Sequence, residues 1–265
     1  SMAFADIDGD GDLEIGNPII FGTGGLMAHD GTIALALPHF AEAFPEGTNV
    51  DDAIAPAMVQ FVTNPAFGDM TGDGNPDYVL GGASAFALVA LALTEWVEFQ
   101  QMVCAWDGAT GELLPGWPRQ IEDFQFLLAP VIADLSGDGK PEAAYGSAGY
   151  LVHAWDAAGI EAPGFPKNTG QWILGSPSIG DVDGDGYLDL AVSTREGMVF
   201  VWTTQGRADQ TVQWQSQFHD PQNTGNYEMP LVVQTGPVPE VEENLKAELA
   251  GCGCARGSGA ALAFL

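Results

Sequence analysis

The sequence contains very few basic residues. Seven lysines and arginines stand against 36 aspartates and glutamates among 265 residues, which gives a formal net charge of −29. A surface this acidic repels the phosphates of nucleic acids and the head groups of anionic lipids. The composition therefore argues against nucleic-acid binding and against adsorption to acidic membranes.

Cysteines and long hydrophobic runs are also scarce. Cys104, Cys252 and Cys254 do not form an even set, so a fold stapled by disulfides is not expected. The longest apolar run, residues 83–93, is too short to cross a bilayer and is predicted to be a buried strand or a short helix. In contrast, 35 glycines and 17 prolines indicate frequent turns, and 46% hydrophobic residues are enough for a packed core.

One acidic pattern organises the chain, because it occurs four times, at residues 6–14, 69–77, 134–142 and 181–189. The copies start 63, 65 and 47 positions apart. Each is followed by a short apolar segment, and Ala-Trp-Asp follows the second and third copies at residues 105–107 and 154–156. These features predict a unit of strand, acidic loop, strand, turn, strand, turn and a further strand.

A unit of 47 residues with about four short strands fits one blade of a β-propeller. We therefore predict an all-β propeller of about four blades over residues 1–235, either a small ring or part of a larger one. The longer spacings predict insertions at residues 39–52 and 84–100. Residues 236–250 read as a Pro/Glu linker with a marginal helix, and residues 251–265 as a Gly/Cys/Ala tail. The sequence starts as though inside a repeat, so a missing leader says little about location.

The acidic loops predict calcium binding. Oxygen donors at positions 1, 3 and 5, a glycine at 6, a main-chain carbonyl at 7 and an acid at 9 can surround a hard cation. The predicted metal residues are Asp6, Asp8, Asp10, Asp12 and Glu14; Asp69, Thr71, Asp73, Asn75 and Asp77; Asp134, Ser136, Asp138, Lys140 and Glu142; and Asp181, Asp183, Asp185, Tyr187 and Asp189. An EF-hand would require a glutamate at position 12, where this chain has Asn17, Leu80, Tyr145 and Val192.

The four loops differ at position 3. Asp8 and Asp183 supply a charge there, whereas Thr71 and Ser136 do not, so we expect tighter calcium binding at the first and fourth loops. The alternative for any single copy is an Asp-Gly hairpin turn without metal, which four copies in one register make less favourable.

These loops resemble the FG-GAP or VCBS-type repeats of integrin α-chain propellers, in particular their secreted bacterial branch. The resemblance covers residues 2–230, and residues 214–225 are similar to the closing segment of such propellers. It implies loop-bound Ca²⁺ and a place outside the cell or on its surface. Residues 251–254 resemble the start of the C-terminal sorting tails of some myxobacterial surface proteins.

The favoured function is a non-catalytic, calcium-stabilised module for adhesion or for protein or glycan binding, or an accessory domain of an enzyme. The two insertions are the candidate binding surfaces. The alternative is a propeller enzyme, either quinoprotein-like, because residues 105–111 resemble a tryptophan-docking motif, or active on polysaccharides. Acid pairs such as 51–52 and 122–123 are expected to be solvated. His219 and Asp220 are expected to point apart on an extended chain, and we interpret them as polar turn residues that close the ring. The spacing of His29, His39 and His153 does not fit zinc, and His153 is expected to be structural. No catalytic residue is assigned.

Overall fold

A computed structural model describes residues 2–16, 25–37, 58–59, 63–84, 101–125 and 127–231. Within these ranges the regular secondary structure is entirely β, with 17 strands in four antiparallel sheets. None of the described residues forms a helix with the length and apolar character of a membrane span. The predicted insertion at 39–52, all of the predicted insertion at 84–100 except Ser84, most of the apolar run, the linker, the tail and His39 lie outside the described residues.

Each acidic pattern connects the first two strands of one sheet. In the first sheet the order is β1 (Ala3–Ala5), β2 (Glu14–Gly16), β3 (Gly25–Met27) and β4 (Ile33–Ala36). The second sheet contains β6 (Ala66–Gly68), β7 (Asp77–Ser84), β8 (Gln101–Trp106) and β9 (Arg119–Ile121), and β5 (Met58–Val59) also pairs with the end of β7. The strands follow one another as the repeat predicts.

The third sheet has five strands and the fourth has three. The third has the order β13 (Lys167–Asn168), β12 (Leu151–Trp155), β11 (Glu142–Gly146), β10 (Val131–Ala133) and β17 (Val212–Trp214). The fourth has β14 (Ser178–Gly180), β15 (Tyr187–Ser193) and β16 (Val199–Arg207). The fourth unit thus has three strands where the pattern predicts four, because the chain after β16 joins the third sheet.

Gly206 lies where the chain begins this route. Its Cα packs so close to the carbonyl of Asp134 that a side chain at this position would clash with it. The amide of Gln205 donates to the carbonyl oxygen of Leu135 at 3.1 Å. A glycine is therefore needed where the end of β16 crosses the acidic loop of the third sheet.

The sheets enclose two hydrophobic cores. The larger one joins the first three sheets around Phe67, Tyr78, Trp106 and Trp214, and the smaller one joins the third and fourth sheets. Successive residues of β11 contribute to different cores: Tyr145 belongs to the first and Ala144 to the second. Because strand side chains alternate between faces, the third sheet is buried on both sides, as in a propeller blade between two neighbours.

Residues 212–229, here called the strap, contact the first strand of all four sheets. Trp214 pairs with Ile132 of β10, and the amide of Ile179 in β14 donates to the carbonyl of Gln215 at 3.0 Å. Toward the second sheet, Gln213 donates to the carbonyl of Asp69 at 3.2 Å. The strap then reaches β1, where the amide of Phe4 donates to Gly225 at 2.8 Å. One antiparallel sheet per repeat, held together at the first strands, gives the all-β propeller-type fold that the sequence predicts.

Candidate functional site

The first acid of each loop organises the loop backbone. Its two carboxylate oxygens accept hydrogen bonds from the amides at positions 4 and 6, which are glycines in all four copies. In the third loop Asp134 accepts from Gly137 at 2.6 Å and Gly139 at 3.0 Å. The equivalent pairs of distances are 2.7 and 3.0 Å for Asp6, for Asp69 and for Asp181. All eight glycines have positive φ, which glycine adopts without strain.

The acids at positions 3 and 5 continue this pattern. At position 5, Asp10, Asp73, Asp138 and Asp185 each accept the amide of position 7, at 2.8 to 2.9 Å. At position 3, Asp8 and Asp183 accept the amide of position 5 at 3.2 and 3.1 Å. These local bonds restrict the orientation of the carboxylates within each turn.

The acid at position 9 is buried in every loop. Glu14, Asp77, Glu142 and Asp189 are between 1% and 3% exposed, and each accepts the amide at position 2 of its own loop. Burial raises the pKa of Asp77 to about 7 and also raises the pKa of Glu14 and of Glu142, against the opposing effect of these bonds. Among the described residues, no lysine or arginine forms an ion pair with these acids.

Three of the four loops bring acids together. Carboxylate oxygens lie within 4.8 Å of one another in the sets Asp6, Asp8 and Asp10; Asp134, Asp138 and Glu142; and Asp181, Asp183 and Asp189. The second loop has no such set, although all of its residues are described and it has acids at the same three positions as the set of the third loop. Carboxylate oxygens in this number suit a hard divalent cation, so the residues present fit calcium.

Several predicted residues lie outside these sets. At position 7, where the prediction uses only the main-chain carbonyl, the side chains of Asp12 and Tyr187 make other contacts. Asp12 faces the exposed His29 at 3.3 Å, and the Tyr187 ring lies under Arg207 at 5.0 Å. In the third loop Ser136 does not provide an acid, and Glu142 completes the set in its place. The sequence pattern already predicts Glu142 as the ligand at position 9 of this loop.

A second polar cluster, which the sequence did not predict, surrounds His153. One ring nitrogen, Nδ1, is 2.9 Å from Glu161, and the other, Nε2, is 2.9 Å from Glu122. The ring is 7% exposed and stacks on Trp155 with centroids 4.7 Å apart. The expectation that the acid pair at 122–123 is merely solvated is therefore wrong for Glu122, which connects the chain after β9 to β12.

The His153 cluster predicts a pH-dependent stability. Because both nitrogens face carboxylates, both must donate, which requires the imidazolium form. Burial opposes this charge, but Glu161 and Glu122 outweigh it and raise the pKa of His153 above 6.5. The stabilisation is therefore complete below pH 6.5, the unfolded-state value, and is lost as the pH rises through the higher pKa of the folded state.

We expect His153→Gln to lower the free energy of unfolding by about 1 kcal/mol in mildly acidic solution, since both glutamates are partly exposed. The loss should shrink at alkaline pH, as followed by urea unfolding across pH. His29→Gln is the matched control, because His29 is 60% exposed and should leave the profile unchanged. An equal loss at every pH would contradict the assignment of an imidazolium.

His219 and Asp220 do not point apart as the sequence suggested. His219 has a φ of 74°, in the left-handed region, and this turn brings its Nδ1 to 3.0 Å from the Asp220 carboxylate. The two residues are only 1% and 3% exposed. Asp220 also accepts the hydroxyl and amide of Thr224 and the amide of Gln222. Burial opposes ionisation, but these bonds and His219 hold the pKa of Asp220 below its usual range. The pair therefore fixes the turn of the strap.

Comparisons with known proteins agree with the repeat. The family model described as FG-GAP repeat matches residues 175–209, which contain the fourth acidic loop, β15 and β16. Among solved structures, rhamnogalacturonan lyase YesW aligns with 83% of this chain at 17% identity and a TM-score of 0.43. The chain corresponds to 42% of the length of that lyase. A search of curated proteins gave no match. The chain is an all-β, propeller-type protein in which residues 175–209 match the FG-GAP repeat.

Proposed function

We propose that this chain is a propeller module stabilised by calcium bound in its acidic loops. The observation that carries the proposal is the grouping of three carboxylates within 4.8 Å in three of the four repeats. Each group includes or adjoins a buried acid, and buried negative charge is costly unless a cation compensates it. Calcium would supply the compensating positive charge and would hold together the two strands that each loop connects. The first, third and fourth loops would hold it, through the acids that the structure groups there.

We further propose that the module is not catalytic and acts by binding a protein or a glycan, or by supporting an enzyme. The arrangement that most resembles an acid-base pair, His219 with Asp220, is buried and occupied in holding the strap. Glycan arrays and pull-downs with the calcium-loaded chain should detect a partner that is retained unchanged. Turnover of a polysaccharide by the purified chain would contradict the non-catalytic role.

From the same calcium chemistry we propose that the chain is exported to the cell exterior. Loops with few charged ligands bind calcium weakly, and millimolar extracellular calcium fills sites that cytosolic calcium leaves empty. The net charge of −29 also suits a surface that remains soluble without a basic partner.

A calcium titration by calorimetry tests the metal sites. We expect the first, third and fourth loops to bind more tightly than the second, because only these group three acids. Asp183→Ala should therefore remove about tenfold or more of the affinity of one tight site, since ligand charge sets affinity. Thr71→Ala, the matched change at position 3 of the second loop, should leave the tight sites unchanged. Equal effects of both variants would contradict the ranking, and magnesium at the same concentration serves as the ion control.

A further inference from the structure

Residues 205–211, here called the clasp, comprise the end of β16 and the turn after it. The strand is irregular at this point: Thr203 pairs with Asp189, and Arg207 pairs with Tyr187. Between these two pairs β16 advances four positions and β15 only two, so β16 carries a bulge. A bulge bends its strand out of the regular ladder. The residues that follow it therefore leave the fourth sheet and reach the acidic loop of the third.

The clasp contacts the third acidic loop through its backbone. The amide of Gln205 donates to the carbonyl of Leu135 at 3.1 Å. The amide of Asp134 donates to the carbonyl of Thr211 at 3.0 Å, and Gly206 packs tightly against the carbonyl of Asp134. Asp134 is the first acid of the third loop and one of its three grouped carboxylates. The clasp therefore holds the backbone of a predicted calcium ligand.

The clasp also contacts the fourth acidic loop. The amide of Ala208 donates to the carbonyl of Gly186 at 3.1 Å. The amide of Gly186 in turn donates to Asp181, the first acid of that loop, at 3.0 Å. The guanidinium of Arg207 lies over the ring of Tyr187 at 5.0 Å. A short run of hydrogen bonds thus leads from the first acid of the fourth loop to the clasp, and the clasp leads on to the third loop.

The four loops differ in how closely other parts of the chain approach their glycines. A β-carbon at Gly137 in the third loop would overlap the carbonyl of Gln205, and one at Gly186 in the fourth would lie 3.5 Å from the guanidinium of Arg207. Adjacent residues aside, no described atom lies within 4 Å of such a position at the glycines of the first and second loops, which are Gly9, Gly11, Gly72 and Gly74. The clasp thus sets the third and fourth loops apart from the other two.

We propose that the clasp couples calcium binding at the third and fourth loops, so that an ion in either loop raises the affinity of the other. This inference rests on the calcium sites of the proposed function. Grouped carboxylates repel one another without a cation, which loosens the loop backbone that the clasp contacts. An ion in one loop orders that backbone and the clasp with it. The second ion then has less of the chain to order and binds more tightly.

Hydrogen exchange, read by mass spectrometry along a calcium titration, tests the coupling because it reports each loop separately. In the wild type, protection of residues 134–142 and 181–189 should rise over the same calcium range. Asp183→Ala weakens the fourth loop and should also raise the calcium midpoint of the third loop by about fivefold or more. Asp138→Ala should shift the fourth loop in the same way, since coupling is reciprocal. Asp8→Ala, an exposed acid of the first loop, should shift neither.

Gly206→Ala tests the clasp itself, because its β-carbon forces the clasp away from the carbonyl of Asp134 while every acid stays in place. In this background Asp183→Ala should no longer shift the midpoint of the third loop, and a shift that persists would overturn the role of the clasp. The single acid variants do not depend on the folding of Gly206→Ala.

The titration separates failure of the coupling from failure of the calcium sites. A third loop that gains protection in calcium, with a midpoint that Asp183→Ala leaves unchanged, would overturn the coupling and leave the calcium sites standing. Loops that gain no protection in calcium would overturn the calcium sites and the coupling together.

Discussion

Replacement of Trp214 by alanine should lower the free energy of unfolding by about 3–5 kcal/mol, the range expected when a buried large side chain leaves a cavity. Trp214 is 1% exposed and lies in the larger core. Its ring contacts His219 edge to face at a centroid distance of 4.9 Å. The variant thus removes a core side chain and loosens the turn of the strap in one step.

The position of Trp214 in the strap makes the effect reach beyond one sheet. Its strand pairs with β10, and its neighbours Gln213 and Gln215 bond to the second and fourth sheets. A loosened strap should therefore reduce the cooperativity of unfolding as well as the midpoint, as measured by urea unfolding with tryptophan fluorescence and far-UV circular dichroism in parallel.

Trp172→Ala is the matched control for this experiment. Trp172 is partly exposed and its ring lies under Arg195 at 5.1 Å, outside both cores. We expect a loss of about 1 kcal/mol or less, as for a cation–π contact near the surface. Losses of similar size in the two variants would contradict the role given to the strap.

Replacement of Asp134 by alanine should have an effect of similar size in calcium, about 3–5 kcal/mol, the cost of breaking a buried charged interaction. Asp134 is 0% exposed, and both of its oxygens accept loop amides. Alanine leaves these donors without partners and removes one acid from the third set. The end of β16 packs on this loop through Gly206, so the fourth sheet should lose hydrogen-exchange protection too.

Asp134→Asn separates the two contributions. Asparagine keeps an oxygen acceptor for one loop amide but lacks the charge that a cation requires. The free energy of unfolding of Asp134→Asn should therefore be closer to that of the wild type in chelator than in calcium. Asp134→Ala should be less stable than the wild type in both conditions. Asp209 is an exposed acid outside the loops, so Asp209→Ala should leave the stability unchanged both in calcium and in chelator. A loss for Asp134→Asn that is the same with and without calcium would contradict a metal at this loop.

The features that the sequence could predict are local ones. Each acidic loop is complete within nine residues, and its glycines and acids act on one another through the backbone, so the spacing was sufficient to place it. The strands on either side follow from the same repeat. The structure therefore confirms the prediction of one sheet per repeat, with the acidic loop between two paired strands of each sheet.

The features that it could not predict depend on residues far apart in the chain. His153 meets Glu122 from 31 positions away, and Gln213 bonds to Asp69 across 144 positions. The chain reaches the third sheet through β17 after Gly206 packs closely against Asp134, a contact that no pattern of hydrophobic residues encodes. Resemblance marked residues 214–225 as a closing segment, but the strands that it joins required the structure.

The pairing of His219 with Asp220 shows how a correct residue choice can carry a wrong geometry. Neighbouring side chains point apart on a strand, and the prediction for this pair assumes that geometry. The left-handed φ of His219 takes the residue out of the strand geometry, and the Asp220 carboxylate then meets both its neighbour and Thr224. Non-glycine residues in this region are uncommon, so a sequence alone gives little warning.

Thermal unfolding in millimolar calcium and in EGTA tests the central claim, that the acidic loops hold calcium and thereby stabilise the sheets. A single site at about 100 times its Kd contributes about 2.7 kcal/mol, which for a domain of this size is about 5 °C or more in melting temperature. We predict at least this rise in calcium, a smaller one in equal magnesium and, in Asp183→Ala, a smaller calcium-dependent rise than in the wild type. An identical melting temperature in calcium and in EGTA would contradict the claim.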